Sequence, residues 1–427
     1  MNRQGRAARS GNLSNVISQG LLKSTLVTTL VLAIRLLAQA ASLILLARLL
    51  GADRFGMYAG IAAASVFLAG FATFGTHLTL LRDASRQQQD VRTALATALG
   101  TTMACGAGLA VLFVSVSTGF YPLGTGAILL LAVAELVVQP LIVILAVPHH
   151  AAGKPARAQA ILLSALVLRA LWIAFLSLFV PAATLSTYIA GHLACGILAL
   201  LAAAWVLPVP LPGLRDVRFL DRPRWRENGG YAVLAATAAA PSEVDKTLAS
   251  KVLSPLDAGS YAASARIAAA MVMPVVALML SLIPLLYRRS STDERAQSDA
   301  MLFWATAAYG VLAGLILFLL SPAISLLFGT SYVGLADYIA WFALIVPGMC
   351  LRLSAVNLLM TMDLPWRRAG VEMIGAATLA VLVLVLARSA VASPVLVAVG
   401  IVEYGMAATG WMMVSAAKRS SNRLVRS

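Results

Sequence analysis

The sequence predicts an all-α polytopic membrane protein with about twelve transmembrane helices, arranged as two six-helix lobes around a central cavity. Composition is the first observation behind this prediction. Of the 427 residues, 60% are hydrophobic and 11% are charged, and the mean hydropathy is +0.89. Because a soluble domain has about 25% charged residues, most of this chain is expected to face lipid. The second and third observations are the length of the apolar runs and the distribution of basic residues between them.

The apolar runs have the length of about 20 residues that a membrane-spanning helix needs. The predicted spans are 25–47, 56–80, 94–116, 125–147, 159–180, 184–206, 229–250, 259–286, 299–320, 338–361, 371–388 and 395–416. A basic, polar segment precedes the first run, and no small-residue cleavage site follows it. We therefore expect the first run to be a retained helix and not a signal peptide.

The Lys and Arg residues predict the orientation of the spans. With a cytoplasmic N-terminus, the inner segments carry 23 of the 32 Lys and Arg residues and the outer loops carry 4. Both termini are therefore predicted to be cytoplasmic. The same distribution explains the net charge of +15, since the basic residues form one cluster per inner loop. A nucleic-acid partner is not expected.

A polar, Arg-rich and Pro-rich stretch divides the chain into two sets of six spans. We predict an N-lobe over 1–206, a cytoplasmic linker over 207–228 and a C-lobe over 229–427. An internal repeat supports this division, because 47–59 aligns with 250–262 at a constant offset of 203. With six spans per half, the repeat is expected to be parallel, with its axis along the membrane normal.

Five basic residues lie inside the predicted spans. They are Arg35, Arg169, Lys246, Arg266 and Arg352. At mid-membrane each charge costs about 2.5–3.5 kcal/mol, so these side chains are expected to face an acidic partner or the central cavity. A surplus of basic residues there predicts an anionic cargo, because guanidinium groups bind phosphate bidentately. Gln39 shares a helical face with Arg35 and joins the predicted substrate-binding set.

Acidic residues in the spans are the candidates for ion coupling. They are Glu135, Glu243, Asp245 and Glu403, and a fifth carboxylate, Glu372, is expected at the membrane interface. Glu243 and Lys246 are three residues apart and can pair on one helical face, whereas Asp245 is expected to point elsewhere. Buried ion pairs between helices are the structural alternative. His192 is the one histidine that is a candidate proton carrier.

The sequence contains no enzyme signature such as GxSxG, HExxH or a P-loop. The three cysteines lie far apart in apolar runs, without the spacing of a disulfide or a metal site. We therefore expect no cofactor and no bound metal, and a transporter is favoured over an enzyme.

Several short motifs resemble those of one transporter family. They are the run from Ala47 to Tyr58, Phe74-Gly75 with Leu80-Leu81-Arg82, Asp245-Lys246 followed by Gly259, Tyr261, Ala262, Ala265 and Arg266, and Phe328-Gly329 with Tyr332. In these motifs the chain resembles the Wzx-type polysaccharide flippases (O-antigen and exopolysaccharide) of the multidrug/oligosaccharidyl-lipid/polysaccharide (MOP) exporter superfamily.

The resemblance implies twelve helices in two lobes around a cationic cavity in the bacterial inner membrane. It implies that a polyprenyl-diphosphate-linked oligosaccharide moves from the cytoplasmic to the periplasmic leaflet by alternating access, with a proton or sodium gradient as a driving force. Arg35, Lys246 and Arg266 match polar or basic cavity positions of the family. The expected partners are this lipid-linked glycan, membrane lipids, a polysaccharide polymerase and glycosyltransferases.

Three alternatives remain open at this point. A drug/cation antiporter of the same superfamily would have an acid-dominated cavity. A peptidoglycan-precursor flippase would usually have two further helices. A membrane-embedded polymerase would have a large periplasmic loop, which the short outer loops do not provide.

Overall fold

The computed structural model describes residues 4–85, 90–180, 183–287, 292–362, 364–386 and 392–426. The backbone in these ranges is helical apart from short connections. The elements are α1 (Gln4–Ala72), α2 (Thr76–Ser85), α3 (Val91–Phe120), α4 (Thr125–Ala132), a π-helical segment (Val133–Val138), α5 (Gln139–Ala151), α6 (Pro155–Phe179), α7 (Leu185–Trp205), a 3-10 turn (Leu214–Asp216), α8 (Arg222–Val252), α9 (Pro255–Tyr287), α10 (Thr292–Phe328), α11 (Leu335–Thr361), α12 (Pro365–Leu386) and α13 (Ala392–Arg426).

Ten segments of the described residues are long and apolar enough to cross a membrane. One of them, Leu37–Ala72, belongs to two predicted crossings, because α1 breaks at Gly51. The helix α8 is not among the ten, since Glu243, Asp245 and Lys246 reduce its hydropathy, yet it runs through the predicted seventh span. Leu37–Ala72 counts as two crossings, the other nine segments as one each and α8 as one, which gives twelve crossings in the described residues. The predicted fold class is confirmed.

Two backbone breaks separate the early helices. Gly51 has φ 71° and ψ 169° inside α1, a conformation that glycine adopts without the Cβ clash that other residues meet. At the other end of the second crossing, Phe74 (φ 46°) and Gly75 (φ 71°) separate α1 from α2. The motif residues of the first two crossings therefore lie where the chain changes direction.

Side-chain caps define where several helices begin. Asp90 accepts a hydrogen bond from the Thr93 amide at the start of α3, and Asp221 accepts one from the Arg224 amide at the start of α8. Thr184 does the same for α7 through the Thr187 amide. Each cap satisfies an amide that the first helical turn leaves without a partner.

The two halves of the chain meet along one seam, where α1 packs against α8 and α9. We call the end of the bundle that carries the α7–α8 connection the inner end, and the end that carries the α8–α9 and α10–α11 connections the outer end. Near the outer end, a Cβ atom on Gly56 would collide with backbone atoms of Pro255 and Gly259. A Cβ atom on Gly259 would collide with the backbone of Ala52.

These two contacts are equivalent under the offset of 203, because Ala52 corresponds to Pro255 and Gly56 to Gly259. A local two-fold axis of the seam therefore passes between the two glycines, as expected for a parallel repeat. Small residues at such a crossing let two helix backbones approach closely.

Large apolar side chains also cover the outside of the bundle. Leu178, Val111 and Leu319 are among many that are more than 60% exposed. An apolar surface of this extent on a water-soluble monomer would promote aggregation. Together with the candidate spans, it shows a multi-pass membrane protein.

Candidate functional site

Buried charges in the C-lobe form a network between α11, α12 and α13. The Arg352 Nε lies 2.6 Å from Glu403 Oε2, and its Nη1 lies 4.0 Å from Glu372 Oε1. Glu372 also pairs with Arg368, whose Nε is 3.4 Å from Oε2. Glu372 is only 2% exposed, and Arg352 and Arg368 compensate its charge inside the lobe; its interfacial position stays a prediction.

A second set of charges lies on α8. The Tyr261 hydroxyl donates to Asp245 Oδ2 at 2.9 Å, and Lys246 Nζ lies 3.3 Å from Asp245 Oδ1. The same ammonium lies 3.5 Å from Glu243 Oε2. The prediction that Glu243 pairs with Lys246 is confirmed. The prediction that Asp245 points elsewhere is wrong, because the long lysine side chain reaches the carboxylate of its own neighbour.

The N-lobe has its own buried cluster around Glu135. This residue lies in the π-helical segment, and its Oε1 is 3.3 Å from His192 Nε2 on α7. The charge of Arg169 on α6 acts on Glu135 and on Tyr58 and Tyr188, whose hydroxyls are 3.1 Å apart. The π-helical segment, α7 and α1 are thus connected around this carboxylate, and Arg169 on α6 is within electrostatic reach of it.

The π-helical turn that presents Glu135 has a local cause. Pro140 follows it and has no amide hydrogen to donate to the Leu136 carbonyl. The preceding amide, that of Gln139, bonds to the carbonyl of Ala134, five residues back, as in a π-helix. The carbonyl oxygen of Leu136 faces Gly106 of α3, where a side chain would collide with it. Wide turns of this kind occur frequently at functional sites.

Charges from the opposite lobe also reach Glu135. Arg266 on α9 stands 5.5 Å from the centre of the Phe55 ring, and its charge acts on both Glu135 and Glu243. No acidic group lies within 4.0 Å of the Arg169 or Arg266 guanidinium in the described part of the chain. One arginine from each lobe is therefore within electrostatic reach of the same carboxylate without a direct ion pair.

Arg35 and Gln39 occupy a different environment. Both are exposed on the first part of α1, as are their neighbours Ile34 and Leu37. Arg35 makes no ion pair with the residues that the structure describes. These two residues therefore lie on the exposed part of α1 that precedes Gly51, and among the described residues they make no hydrogen bond or ion pair with the cluster around Glu135.

Solved structures with the same arrangement of helices are transporters. The chain aligns with an inward-facing conformation of a multidrug resistance MATE family transporter of the MOP superfamily, with a TM-score of 0.67, 13% identity, and coverage of 91% of this chain and 96% of that one. The fold is that of the MATE transporters. An outward-facing conformation of such a transporter aligns with a TM-score of 0.60 at 12% identity, covering 93% and 96%.

A third structure with this MATE fold comes from Pyrococcus furiosus. It is a MOP superfamily transporter described as having a binding pocket of reverse polarity that suggests a different function, and it aligns with a TM-score of 0.61 at 12% identity, covering 92% of this chain and 94% of that one. No protein-family model and no curated protein sequence matches this chain. At these identities the comparisons show the fold alone.

Within this MATE fold, the sequence-predicted residues fall into three groups. Arg169 of the N-lobe and Arg266 of the C-lobe are within electrostatic reach of Glu135, and Arg266 is also within reach of Glu243, which lies with Asp245 and Lys246 on α8. Arg352 and Glu403 are paired inside the C-lobe. Arg35 and Gln39 lie apart on α1. Sequence reasoning named Tyr58 and Tyr261 only as motif residues and did not find Tyr188, since a tyrosine in an apolar span gives no signal of a polar contact.

The predicted surplus of basic residues is smaller than the sequence indicated. Lys246 is shared by two carboxylates, and Arg352 is compensated by Glu403 and Glu372. The cations that remain without an ion pair among the described residues are Arg35, Arg169 and Arg266. The excess of positive charge is therefore a property of these three positions, and not of all five predicted ones.

Proposed function

We propose that the protein is a transporter that moves a polyprenyl-diphosphate-linked oligosaccharide from the cytoplasmic to the periplasmic leaflet of the bacterial inner membrane by alternating access. The observation that supports this is the placement of Arg169 and Arg266. They come from opposite lobes, lie within electrostatic reach of one carboxylate and lack a direct ion pair among the described residues. A diphosphate between them would receive hydrogen bonds from both guanidinium groups, and would join the two lobes.

The steps follow from where the charges lie. The lobes touch at the outer end through Gly56 and Gly259 and at the inner end through Thr79 and Asn228. Cargo enters after the inner contact opens, and it passes Arg35 and Gln39 on α1. Arg169 and Arg266 then replace the water around the diphosphate, while the prenyl chain stays in lipid. Rocking of the lobes about the outer seam exposes this site to the opposite side.

The membrane potential supplies a driving force for an anionic cargo. A cytoplasm-negative potential favours outward movement of a negative charge by about 2.3 kcal/mol per charge per 100 mV. A proton at Glu135 would not promote release, because neutralising this carboxylate strengthens the hold of Arg169 and Arg266 on an anion. Asp245 and Glu403 are held by Lys246 and Arg352. For cargo release we therefore favour the potential over a proton on these carboxylates.

A binding experiment tests the proposal most directly. Purified protein is titrated with a short prenyl diphosphate, and Arg169→Gln and Arg266→Gln are compared with Arg54→Gln, which removes an exposed charge at the outer end. We expect Arg169→Gln and Arg266→Gln each to weaken binding by tenfold or more, which corresponds to the loss of about one charge-assisted hydrogen bond. Arg54→Gln should bind normally. Normal binding by both Arg169→Gln and Arg266→Gln would refute the diphosphate site.

Cells that lack the protein test the cargo. The proposal expects lipid-linked glycan to build up in the cytoplasmic leaflet and surface polysaccharide to fall. Unchanged lipid-linked glycan together with a gain in sensitivity to cationic drugs would replace the proposal with the antiporter reading. The glycan that accumulates would identify the sugar.

A further inference from the structure

The connection between α7 and α8 folds back along the inner part of α3. Arg92 Nη2 on α3 pairs with Asp216 Oδ2 at 2.8 Å, and a Cβ atom on Gly100 would collide with the Arg218 carbonyl oxygen. Leu220 is 9% exposed, and its carbonyl accepts a 3.1 Å hydrogen bond from Trp225 Nε1. The connection is thus a fixed element of the structure, attached to the N-lobe.

The contact with Gly100 gives the depth of this connection. The 30 residues of α3 extend over about 45 Å, which exceeds the hydrocarbon core by about 15 Å. Gly100 is nine residues after Val91, or about 13 Å along the axis. If α3 is centred in the membrane, Arg218 lies about 6 Å below the edge of the core. Interfacial amphipathic elements lie at this depth.

The connection exposes apolar side chains at this level. Phe219 is 63% exposed, Leu211 51%, Trp225 44% and Val217 38%. In water such a group would be unfavourable, whereas Trp and other apolar side chains are favoured at the boundary between headgroups and acyl chains. The exposed apolar groups therefore fit contact with lipid.

Charged groups around these side chains are unevenly compensated. Asp216 pairs with Arg92, Asp221 caps α8, and Glu227 pairs with Arg82. The exposed residues Arg215, Arg218, Arg222 and Arg226 have no acid within 4.0 Å among the described residues. Every acid of the connection is thus engaged with a group other than these four, so they remain available for an external anion.

We propose that residues 211–226 form a docking surface for anionic phospholipid headgroups of the inner leaflet, with the four free arginines on the phosphates and Phe219 and Trp225 in the acyl boundary. The assignment to the inner leaflet rests on the orientation that the Lys and Arg distribution predicts. It does not depend on the cargo. The surface would hold the inner end of the N-lobe, and the joint between the lobes, at a defined height in the membrane.

Lipid retention tests this proposal. The full-length protein is equilibrated in mixed micelles with equal phosphatidylglycerol and phosphatidylethanolamine, and retained lipids are counted by native mass spectrometry. The test variant is Arg218→Gln/Arg222→Gln. The matched control is Lys154→Gln/Arg157→Gln, which removes two exposed cations from another inner connection.

We expect wild type and control to retain phosphatidylglycerol preferentially. The preference should fall on the order of tenfold or more in the test variant, since each arginine near an anionic surface contributes about fivefold. Phe219→Ser should lower retention of both lipids without changing the preference. An equal loss in the control, or no preference in wild type, would overturn the proposal, because the basic residues would then act only through the overall inner charge.

Discussion

Tyr121 and Tyr332 close the outer end of the molecule in the same way from opposite lobes. The Tyr332 hydroxyl donates to the Ala47 carbonyl at 3.2 Å, and the Tyr121 hydroxyl is 3.3 Å from Ser250 Oγ. Ala47 and Ser250 are equivalent under the offset of 203. Burial raises the pKa of both phenols, so each stays protonated.

The next residue of each repeat makes a matching contact. Lys251 Nζ stands 3.4 Å from the centre of the Tyr121 ring and contacts the Phe120 carbonyl, while the Arg48 side chain lies beside Gly329. We call Tyr121 with Ser250 and Lys251, and Tyr332 with Ala47 and Arg48, the two outer clamps. Both clamps join one lobe to the other, and opening of the outer end must break them.

We predict that Tyr121→Phe and Tyr332→Phe each favour opening of the outer end. Loss of one hydrogen bond is worth about 0.5–1.5 kcal/mol, which changes the ratio of closed to open molecules several-fold. Outer opening is measured as the rate at which a membrane-impermeant maleimide labels Ala262→Cys, a site 2% exposed in the closed seam, in a protein without its native cysteines.

Tyr309→Phe is the control for the clamps, since Tyr309 donates to the Met271 carbonyl within the C-lobe at 2.7 Å. Faster labelling in both clamp variants and not in this control is the expected pattern. If all three variants label alike, the clamps do not determine the position of the lobes.

We predict that Gly56→Ala prevents full closure of the outer end. The added methyl group would meet the backbone of Pro255 and Gly259, which cannot rotate away, and overpacking of this kind costs about 1–3 kcal/mol. Labelling at Ala262→Cys should rise and transport should fall about tenfold. Gly108→Ala is the matched control, because nothing lies within 4 Å of its added Cβ. Equal effects of the two substitutions would exclude a role for the glycine contact.

We predict that Arg352 contributes to stability and not to cargo binding. Removing one partner of a buried pair costs about 3–5 kcal/mol, so Arg352→Met and Glu403→Gln should each lower the thermal unfolding temperature in detergent. The double variant should lose less than the sum, because no charge is then left without its partner. Weaker binding of a short prenyl diphosphate by folded Arg352→Met would instead return Arg352 to the substrate site.

We predict that Glu135→Gln binds a short prenyl diphosphate more tightly than wild type. The carboxylate competes with the anion for Arg169 and Arg266, and its removal should lower the Kd on the order of tenfold. Wild-type binding should also strengthen as the pH falls and Glu135 takes up a proton, and Glu135→Gln should lose this dependence. Asp53→Asn, at an exposed outer position, serves as the control. Weaker binding by Glu135→Gln would show that the carboxylate holds the site together.

The sequence by itself determined the membrane character, the twelve crossings and the repeat. Hydropathy and span length depend on the solvent that each segment meets, and the offset of 203 is visible without coordinates. It also identified Arg169, Glu135 and Arg266 as charges within apolar spans, since a charge in an apolar run is costly wherever it lies. The resemblance to MOP exporters correctly implied two lobes of six helices.

Only the tertiary structure decided which of these charges compensate one another. Arg352 on α11 pairs with Glu403 on α13, and the two residues are 51 positions apart in the chain. Arg169 has no acid at ion-pair distance among the described residues. Both arginines are alike in sequence, with a deep position and no nearby acid. Side chains on different helices are brought together by packing, and no local pattern records which helices become neighbours. For this reason only three of the five predicted cavity cations lack an ion pair among the described residues. The same packing decided that the lobes join at Gly56 and Gly259.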